Sequence, residues 1–462
     1  MSKNRLIVAV SILLAVVIGL TGCSRTTTKP PASEDVANVI ETDVVVIGSG
    51  AAGLSAALAA GDEGAEVIVL EKRPLTGGTT RYSGGGLCAA GVDLQLKHGI
   101  TEDSPEVHFE DMMRLGQYEN DPDLVRVVTN NAKDAVDWVR TKGIQLKDEV
   151  VSYMSTYPRI YWVEGGGSGL TDGLTKTAEE SGIKIELDTK AVKLLMEENR
   201  VVGVVAQKGN EEITYRTRKG VVLATGGFAW NQDLIKEFAP ELTGIRTNNP
   251  ENVTTGDSII MARNIGAQLV DMNLARIVPL GVRVGKSGWT SAPGTLIESG
   301  GQFVNNKGLA FVAEGTERDL AAAILAQPEH TAYLIFDQQV VNEVGEKSIE
   351  TLKNRGAIHE GDLTAITQKL GIDADGLEQT LGQEKSQETV FGVVVEPYIH
   401  STTGGVAINT SGQVLNESEE VIQGLYAAGE VTGDIQGADQ KNALIDCLVF
   451  GRIAGESASV GK

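Results

Sequence analysis

Three glycines and one acid have the types and the spacing to hold a dinucleotide. Gly48, Gly50 and Gly53 form a Gly-x-Gly-x-x-Gly turn, and Glu71 follows near the interval expected of an acid that meets a ribose hydroxyl. In such a turn the first glycine permits the bend, the second admits a pyrophosphate, and the third lets a helix pack on the preceding strand. The phosphates would lie at the positive end of that helix. An acid at position 71 disfavours a ligand with a 2′-phosphate.

The segments around this turn are those that such a site needs. Residues 44–47 are four consecutive β-branched residues, which is typical of a buried parallel strand, and the small residues 51–60 predict a helix. Residues 65–70 predict a second strand that ends at Glu71. A lone glycine motif is a weak signal, but strand, turn, helix, strand and acid in this order predict a dinucleotide-binding unit.

Two further glycine-rich stretches point to the same ligand. Residues 77–80 and 83–86 combine glycines with hydroxyl side chains, which suits backbone that lies against a flat ring and a phosphate. A flexible surface loop is the alternative interpretation. Residues 224–227, Ala-Thr-Gly-Gly, follow an apolar strand and predict a second turn that contacts the nucleotide.

Length and charge limit the protein class. A chain of 462 residues is too long for one compact core, and it predicts two or three domains. A net charge of −22 argues against nucleic acid as a partner and against binding to an anionic membrane surface by charge. From residue 278 the sequence changes to glycine loops and polar helices, and nucleotide-fold character returns near residue 404. We therefore predict an inserted second domain at 278–392, between parts 43–277 and 393–462.

The N-terminus predicts export and lipid attachment. Lys3 and Arg5 precede the apolar run 6–20, and Leu-Thr-Gly-Cys at 20–23 resembles a bacterial lipoprotein box. Residues 1–22 would be the signal peptide, Cys23 would carry the lipid, and 23–42 would be a flexible tether. An ordinary cleaved signal is the main alternative. Either reading places the protein outside the cytoplasm of a bacterium.

Cysteine and histidine usage gives no sign of a metal or a haem. Cys88 and Cys447 lie among small apolar residues, where buried thiols are expected rather than a disulfide. No Cys-x-x-Cys-His is present, so the chain has no c-type haem motif, and the five histidines are scattered along it. We predict no metal site.

Several motifs together resemble the flavoprotein of the fumarate reductase and succinate dehydrogenase superfamily, in particular the soluble flavocytochrome c fumarate reductases. The resemblance covers nearly all of residues 43–455, and its motifs are jointly specific. These motifs are the turn 48–53 with Glu71, and the segments 224–227, 311–319, 400–405, 428–433 and 451–455. The resemblance implies an α/β fold, in which a Rossmann-like FAD-binding domain is interrupted by an inserted α+β capping domain. The active site would lie between the two domains.

The resemblance also implies which residues touch non-covalently bound FAD. They come from the two nucleotide turns, the glycine-rich loops, the segment before the last helix and the start of that helix. The full set is Gly48, Gly50, Ala51, Ala52, Gly53, Glu71, Lys72, Gly78, Thr79, Thr80, Ser83, Gly84, Gly85, Val192, Thr225, Gly226, Asp257, Gly429, Glu430, Ala443 and Leu444. A helix that begins at Ala443 would direct its positive end toward the flavin and would favour the reduced ring.

The family's reaction is hydride transfer from flavin N5 to one carbon of an electron-poor double bond, with a proton delivered to the next carbon. In relatives the proton comes from an arginine that precedes an aspartate, and Arg318 matches this context. A guanidinium holds its proton above about pH 12, so it can act only as one link in a relay through a carboxylate. The relay candidates are Glu298, Glu314 and Glu317. An ion-pair role for Arg318 is the alternative.

Three residues are implied at the substrate. His400 matches a histidine that binds a substrate carboxylate in relatives, although a structural hydrogen-bonding role is the alternative. Gly85 would lie beside the substrate along the flavin. Lys441 could supply a positive charge, but as a point charge and not as a fork.

The sequence departs from the family at the places where relatives hold a dicarboxylate. The segment 437–442 is two residues shorter than its counterpart and lacks the arginine that grips a carboxylate. Val278-Pro279 stands where relatives have His-Pro, and a Thr-Glu pair has no clear counterpart near Pro293. We therefore expect an activated alkene with at most one carboxylate, which could carry an aryl group, rather than fumarate. Tyr161, Trp162 and Trp289 could line an apolar pocket or could serve packing alone.

Two other functions stay open from sequence. The same fold could oxidise CH–CH groups, as ketosteroid dehydrogenases do, or the chain could be a non-catalytic lipoprotein that binds a flavin. A reductase would need electrons from a separate cytochrome or FMN protein, because the chain has no haem motif of its own.

Overall fold

A computed structural model describes residues 38–152, 155–284, 288–312, 315–385, 388–437 and 443–461. The strands are β1 (Asn38–Ile47), β2 (Val67–Leu70), β3 (Gly86–Cys88), β4 (Ile160–Trp162), β5 (Lys184–Glu186), β6 (Thr189–Glu197), β7 (Arg200–Lys208), β8 (Glu211–Leu223), β9 (Leu269–Val270), β10 (Ala275–Val284), β11 (Gly288–Ser291), β12 (Gln302–Val304), β13 (Ala332–Asp337), β14 (Ile358–Gly361), β15 (Val390–Thr402), β16 (Gly405–Val406), β17 (Gln413–Leu415) and β18 (Val421–Ala427).

The helices lie between single strands and runs of strands. They are α1 (Ala51–Asp62), α2 (Asp93–Lys97), α3 (Pro105–Leu115), α4 (Pro122–Thr141), α5 (Gly166–Glu180), α6 (Gln232–Phe238), α7 (Asp257–Arg263), α8 (Thr295–Glu298), α9 (Glu317–Leu325), α10 (Gln338–Val344), α11 (Glu346–Asn354), α12 (Leu363–Leu370), α13 (Ala374–Lys385) and α14 (Ala443–Val460).

A parallel sheet forms the centre of the first half of the fold. Its strands run in the order β5, β2, β1, β8, β18, and all four neighbouring pairs are parallel. Val44 lies opposite Val67 on one side and Gly220 on the other, so residues 44–47 of β1 are enclosed by two strands. The β-branched run of β1 suits this position because both faces of a parallel sheet are covered. β6 and β7 extend the sheet as an antiparallel meander on β8.

Helix α1 packs against α14 through very small residues. A Cβ atom at Gly451 would lie 2.6 Å from the Ala52 carbonyl oxygen, and one at Gly455 would lie 2.1 Å from that of Ala56. Residues 51–60 of α1 are all buried. The alanine-rich sequence therefore lets the two helix backbones approach closely over the central sheet.

A second, antiparallel sheet occupies the later part of the chain. Its strands run in the order β11, β10, β15, β13, β12, and β14 also pairs with β15. Its core contains Val282, Phe303, Leu334 and Phe391. The predicted domain limits at 278 and 392 fall inside β10 and β15, and these limits remain a proposal.

The structure differs from the sequence-based expectation in two places outside the second sheet. Apolar residues at near-helical spacing predict a helical stretch at 105–142. The structure divides it into two helices, α3 and α4, because Gln117 and Tyr118 have positive φ and Asp121 caps a new helix that begins at Pro122. The first strand begins at Asn38, five residues before the predicted start of the FAD-binding part at 43, and Asn38 pairs with Ile213 of β8. Predictions for residues 1–37, including Cys23, lie outside the described residues.

A buried ion cluster fixes strand β4 to helix α3. The Arg159 guanidinium donates to Asp103 at 2.7 and 3.0 Å and to Asp111 at 2.6 Å, and its side chain is 1% exposed. Arg159→Met would leave the buried Asp103 without its counter-charge and would leave Asp111 with Arg114 alone, at 2.7 Å. Removing one partner of a buried ion pair costs about 3–5 kcal/mol. We expect a markedly lower unfolding temperature by calorimetry. Arg216→Met is the control, because Arg216 pairs with Glu197 at the surface, and a similar loss in both variants would contradict the prediction.

Within the described part of the chain, no helix combines the length and the apolar character that a membrane crossing requires.

Candidate functional site

One cavity of about 550 Å³ opens at the carboxyl ends of the central parallel strands. Ile47 at the end of β1, Ala224 after β8 and Ala428 after β18 all line it. In open α/β sheets this edge is where ligands bind. The volume lies within the range of small-molecule and cofactor sites.

The start of helix α1 offers backbone N–H groups to the cavity. The wall includes Gly48, Gly50, Ala51 and Ala52, and the N-cap residue is Gly50, which has no side chain to cover the first N–H groups. The Ala51 N–H donates to Thr80 Oγ1 at 3.2 Å. The first turn therefore presents donors and the positive helix end together, which favours an anion such as a pyrophosphate.

Two glycines of this turn permit contacts that a side chain would block. Gly48 has φ +104°, and a Cβ there would lie 2.3 Å from the Ala224 carbonyl oxygen. Gly53 does not line the cavity, but its Cβ would lie 1.9 Å from the Gly48 carbonyl oxygen. Gly53 thus lets α1 lie directly on the turn.

Glu71 is buried and is held by the chain itself. Its carboxylate accepts from the N–H and the hydroxyl of Ser49, at 3.1 and 2.5 Å, and from the Arg73 N–H at 2.9 Å. These bonds tie the end of β2 to the glycine turn. Glu71 also lines the cavity, so the predicted contact with the adenosine ribose stays a prediction beside this structural role.

A cluster of charges lies beside Glu71. Lys72 donates to Asp257 at 2.8 Å and to Thr255 at 2.6 Å, and Lys190 is 3.1 Å from Asp257. Burial raises the pKa of Asp257, but the charge of Lys72 and the hydrogen bonds from Lys72 and Thr255 outweigh it and hold the pKa below its ordinary value. Asp257 is therefore an anion at the first turn of α7, on the cavity wall.

The glycine-rich loop after Glu71 forms another wall. A Cβ at Gly84 would lie 2.8 Å from Cζ3 of Trp162, and both residues line the cavity. Tyr161, by contrast, is buried and donates to the Ala89 carbonyl, and Trp289 packs edge-on against Tyr398. Of the three aromatic residues suggested for the pocket, Trp162 alone is in the cavity lining among the described residues.

Glu430 is a partly buried acid on the cavity wall. Its carboxyl accepts from the Thr402 N–H at 3.1 Å, and the N–H of Gly227 also bonds to it. Burial raises the pKa of Glu430 to about 7, and the hydrogen bonds oppose this rise. The residue joins β15 to the end of β18 at the cavity.

Asp446 lies in the first turn of α14 and is 2% exposed. Gln436 Nε2 donates to its Oδ2 at 3.3 Å, while Oδ1 is buried and has no hydrogen-bond partner among the described residues. Burial raises the pKa of Asp446 to about 7, and the bond from Gln436 opposes this rise only in part. Asp446 is thus a mostly neutral acid below this pH.

This raised pKa predicts a pH dependence of stability. Between the ordinary value of 3.8 and about 7, folded Asp446 holds a proton that the unfolded chain has released, so the unfolding free energy falls as pH rises through this window. Asp446→Asn should remove up to roughly 4 kcal/mol of this fall, at about 1.4 kcal/mol per pKa unit. Thermal unfolding of both proteins across this range measures it. Parallel curves for variant and wild type would refute the assignment.

The second sheet contributes the polar residues Arg276, His400 and Ser401 to the cavity. Asn248 Nδ2 donates to His400 Nδ1 at 3.1 Å, and Asn249 Nδ2 donates to the His400 carbonyl at 3.1 Å. Since Nδ1 accepts, the proton of the neutral ring is on Nε2. His400 is therefore held by two asparagines, and it can donate from its second nitrogen.

Arg318 is outside the cavity lining in this structure. Its Nη1 is 3.8 Å from Glu119 Oε2, and it has no hydrogen-bond acceptor among the described residues. Asp319 instead forms a capping box with Thr316 at the start of α9. The neighbouring Glu317 pairs with Arg276 at 3.0 Å, so the first turn of α9 reaches the cavity wall through that residue.

Most of the residues expected at the cofactor come together. Those that line the cavity are Gly48, Gly50, Ala51, Ala52, Glu71, Lys72, Gly78, Thr79, Thr80, Ser83, Gly84, Gly85, Thr225, Gly226, Asp257, Glu430, Ala443 and Leu444. Gly53, Val192 and Gly429 are outside the lining; a Cβ at Gly429 would lie 2.8 Å from that of Ala52. Lys441 and Glu314 lie outside the described residues. The binding roles of all these residues stay predictions.

Sequence reasoning missed several residues of this wall. Cys88 and Cys447 are free thiols and both line the cavity, and burial raises the pKa of Cys88 to about 12. Asn248 and Arg276 also line it. Each stands in a segment without a recognisable motif, and only the pairing of β10 with β15 brings Arg276 beside Ser401.

The wall suits FAD in shape and in donors. It combines a helix start with glycine at the N-cap, glycines whose added Cβ atoms would clash, a charge cluster around Asp257 and a second helix start at Ala443. A long ligand with a pyrophosphate in its middle and aromatic rings at its ends needs these features in one cavity.

Comparisons with known proteins agree with this description. A family model of the FAD binding domain matches residues 43–444. The chain is 37% identical over 445 residues to a fumarate reductase (cytochrome) of Shewanella frigidimarina, which covers 90% of this chain and 77% of that protein. It is 32% identical over 455 residues to a urocanate reductase of Eggerthella lenta, which covers 91% of this chain and 75% of the relative.

Two solved structures share the fold. The open conformation of a flavocytochrome c3 fumarate reductase superposes with a TM-score of 0.80 at 33% identity, over 91% of this chain and 78% of that one. The 3-ketosteroid-Δ4-(5α)-dehydrogenase of Rhodococcus jostii RHA1 gives 0.75 at 26% identity, over 93% and 99%. The predicted α/β fold class and the FAD cofactor are thereby confirmed. The chain belongs to the FAD binding domain family, within the fumarate reductase and succinate dehydrogenase superfamily, and is an FAD-dependent oxidoreductase that acts on CH–CH groups.

Proposed function

We propose that this protein reduces an activated C=C bond of a small molecule with at most one carboxylate, and that fumarate is not its substrate. The observation that carries the proposal is a single cavity wall to which both sheets contribute. Gly84 and Ala443 come from the FAD-binding half, and Arg276 and His400 come from the second sheet. The second sheet would orient an alkene held between these groups, and the double bond would face the part of the cavity where the flavin ring would lie.

The chain's own residues would hold the cofactor. FAD, when bound, supplies a hydride from N5 of its reduced ring. The N–H groups of the first turn of α1 would bind the pyrophosphate, and Asp257 and Glu430 would hold other polar groups of the ligand. Ala443 and Leu444 begin α14, and the positive end of that helix would stabilise negative charge on the bound ring. This arrangement makes reduction of the cofactor easier.

Arg318 is our proposed proton donor to the second alkene carbon. A free guanidinium loses its proton only above about pH 12. Arg318 can therefore donate a proton only if a neighbouring carboxylic acid supplies another one to it, which makes the transfer a relay. Glu317 is the relay candidate best supported by contacts, because it precedes Arg318 and already reaches the cavity wall through Arg276. Since Arg318 lies outside the lining, the proposal requires the first turn of α9 to move toward the cavity when substrate binds.

The proposal that fumarate is not the substrate rests on the sequence of two segments that hold a dicarboxylate in relatives. No arginine is present in 437–442, and Val278 stands where relatives carry a histidine. The ring of Trp162 adds apolar surface to the cavity. One carboxylate and one apolar or aryl group match this surface better than two carboxylates do.

A panel of alkenes tests the proposal. The FAD-loaded protein is reduced with dithionite without oxygen and mixed with fumarate, urocanate, cinnamate, acrylate, itaconate and an enone steroid, while the visible flavin absorbance is followed. We expect rapid reoxidation by a monocarboxylate and slow reoxidation by fumarate. Fumarate turnover equal to that of the best alkene would contradict the substrate proposal, and no reoxidation by any alkene would contradict the reductase.

The reverse reaction is the second candidate. The structural likeness to a 3-ketosteroid dehydrogenase, at a TM-score of 0.75, supports oxidation of a CH–CH group in the same cavity. Reduction of the bound flavin by a saturated ketone, followed in the absence of dithionite, would favour this direction over alkene reduction.

We further propose an extracytoplasmic, lipid-anchored protein that receives electrons from a separate cytochrome or FMN protein. The lipoprotein box that ends at Cys23 supports the anchor, and the named fumarate reductase (cytochrome) relative supports an electron partner. Cys23→Ala should abolish lipid labelling with radioactive palmitate and shift the protein out of the membrane fraction. Cys88→Ala is the control, because it should leave labelling unchanged, and labelled Cys23→Ala protein would exclude the anchor.

A further inference from the structure

Arg276 is a cation on the cavity wall that the family resemblance does not assign. It lies on β10, its side chain is 19% exposed, and it lines the cavity. The lysines of the wall, Lys72 and Lys190, belong to the cluster around Asp257. Arg276 instead pairs with Glu317 of α9, on the side of the cavity that the second sheet forms.

A strand irregularity brings Arg276 beside two other polar residues. β10 and β15 are antiparallel, with Arg276 opposite Ser401 and Ile277 opposite Ile399, so His400 is an extra residue on β15 at this point. Residues directly opposite each other on antiparallel strands project to the same face, and a bulge re-aims the side chain of the extra residue. This explains how the consecutive residues His400 and Ser401 both line the cavity beside Arg276.

These three side chains have the chemistry of a carboxylate site. A guanidinium presents its donors as a planar fork that matches a carboxylate, and Ser401 is 4% exposed with a hydroxyl donor. His400 can donate from Nε2, because Nδ1 accepts from Asn248. Backbone and asparagine contacts hold the imidazole in place, so the site is organised before a ligand binds.

Charge limits this site to one carboxylate. Glu317 lies 3.0 Å from Arg276, so the charges of this pair cancel. One substrate carboxylate can share the Arg276 guanidinium with Glu317. A second substrate carboxylate would be repelled by the negative charge of Glu317, and Arg276 has no further positive charge to offset it. The geometry therefore favours a monoanion over a dianion.

We propose that Arg276, with Ser401 and His400, binds the single carboxylate of the substrate. The inference rests on the proposed function, because it names the group by which the same cavity would hold its alkene acid. It assigns the carboxylate to the second sheet, in place of the arginine that the segment 437–442 lacks.

Ligand binding to the oxidised, FAD-loaded protein tests this without turnover. The probes are 3-phenylpropionate, which is saturated and cannot be reduced, and the uncharged 3-phenylpropanamide, each detected by its perturbation of the visible flavin absorbance. We expect Arg276→Gln to weaken binding of the acid about 30-fold or more, as is usual for removing one partner of a buried charge pair, and to leave the amide unchanged. Arg276→Lys should bind the acid with an affinity between those of the wild type and Arg276→Gln, because lysine keeps the positive charge but lacks the planar fork of donors.

The control variant is Arg283→Gln on the same strand. Arg283 pairs with Glu396, and its side chain is 68% exposed. The Arg283→Gln protein should therefore bind both probes as the wild type does. Equal acid binding by Arg276→Gln and wild type would overturn the proposal, and so would an equal loss of acid and amide binding. Loss of FAD from Arg276→Gln would assign the residue to the cofactor instead. Selective acid binding without alkene reduction would sustain this site and overturn only the reductase function.

Discussion

Arg318→Ala should lower the rate at which an alkene reoxidises the reduced protein by about 10³-fold, within the range that general acids contribute. The bound FAD should remain, because Arg318 lies outside the cavity lining and contacts Glu119 rather than the glycine turns. Stopped-flow absorbance measures the rate, and the flavin content of the purified variant measures retention. An effect on rate without an effect on flavin content would place Arg318 in proton delivery.

Two further variants separate this role from an ion-pair role. Glu119→Gln removes the partner of Arg318 in this structure and should leave the rate near that of the wild type. Arg318→Lys keeps a positive charge and should still lose most of the rate, since an ammonium on a different stem does not reproduce the guanidinium geometry. If Arg318→Ala keeps its rate within a few-fold of the wild type, another residue delivers the proton.

Gly53→Ala should yield protein with little bound FAD and a much lower unfolding temperature. The added Cβ would lie 1.9 Å from the Gly48 carbonyl oxygen, which is backbone and cannot rotate away. Helix α1 must then move from the turn, which we expect to cost at least about 3 kcal/mol, the upper end of ordinary overpacking. The ratio of flavin to protein absorbance and thermal unfolding measure both effects.

Gly61→Ala on the same helix is the matched control. Its Cβ would meet only the flexible end of Ile183, at 3.2 Å, and alanine favours a helix over glycine by about 1 kcal/mol. The flavin content should equal that of the wild type. If Gly53→Ala also binds a full complement of FAD, the close contact of α1 with the glycine turn is not needed for the site.

The FAD-binding half could be predicted from sequence because its signals are local. The strand, glycine turn, helix and acid between residues 43 and 71 lie in one short segment, and each has a distinct residue pattern. The structure has β1, α1 and β2 at this place, and the cavity opens beside their turn. The family resemblance also indicated Glu430, within the motif 428–433, and Asp257, and both line that cavity.

The second sheet shows where local patterns fail. Its central strand β15 pairs with β10, β13 and β14, and these three strands lie far from one another in the sequence. No short segment of sequence therefore reveals the register of their pairing. The bulge at His400 depends on that register, and so does the position of Arg276 beside Ser401. Glu71 is a similar case, since its three hydrogen bonds to Ser49 and Arg73 appear only once the turn is folded.

The order of strands in the central sheet has a consequence for biosynthesis. β1 begins the sheet at Asn38, yet its neighbour β8 ends at Leu223 and the next strand, β18, begins at Val421. The helix that covers α1 is α14, the last in the described chain. Synthesis must therefore continue through α14 before the cofactor cradle can close, and such long-range pairing folds slowly. Until then strand β1 lacks its neighbours, and a nonsense mutation anywhere before Ala443 would remove the helix that covers α1, so that the cradle could not close even if every strand of the central sheet had been made.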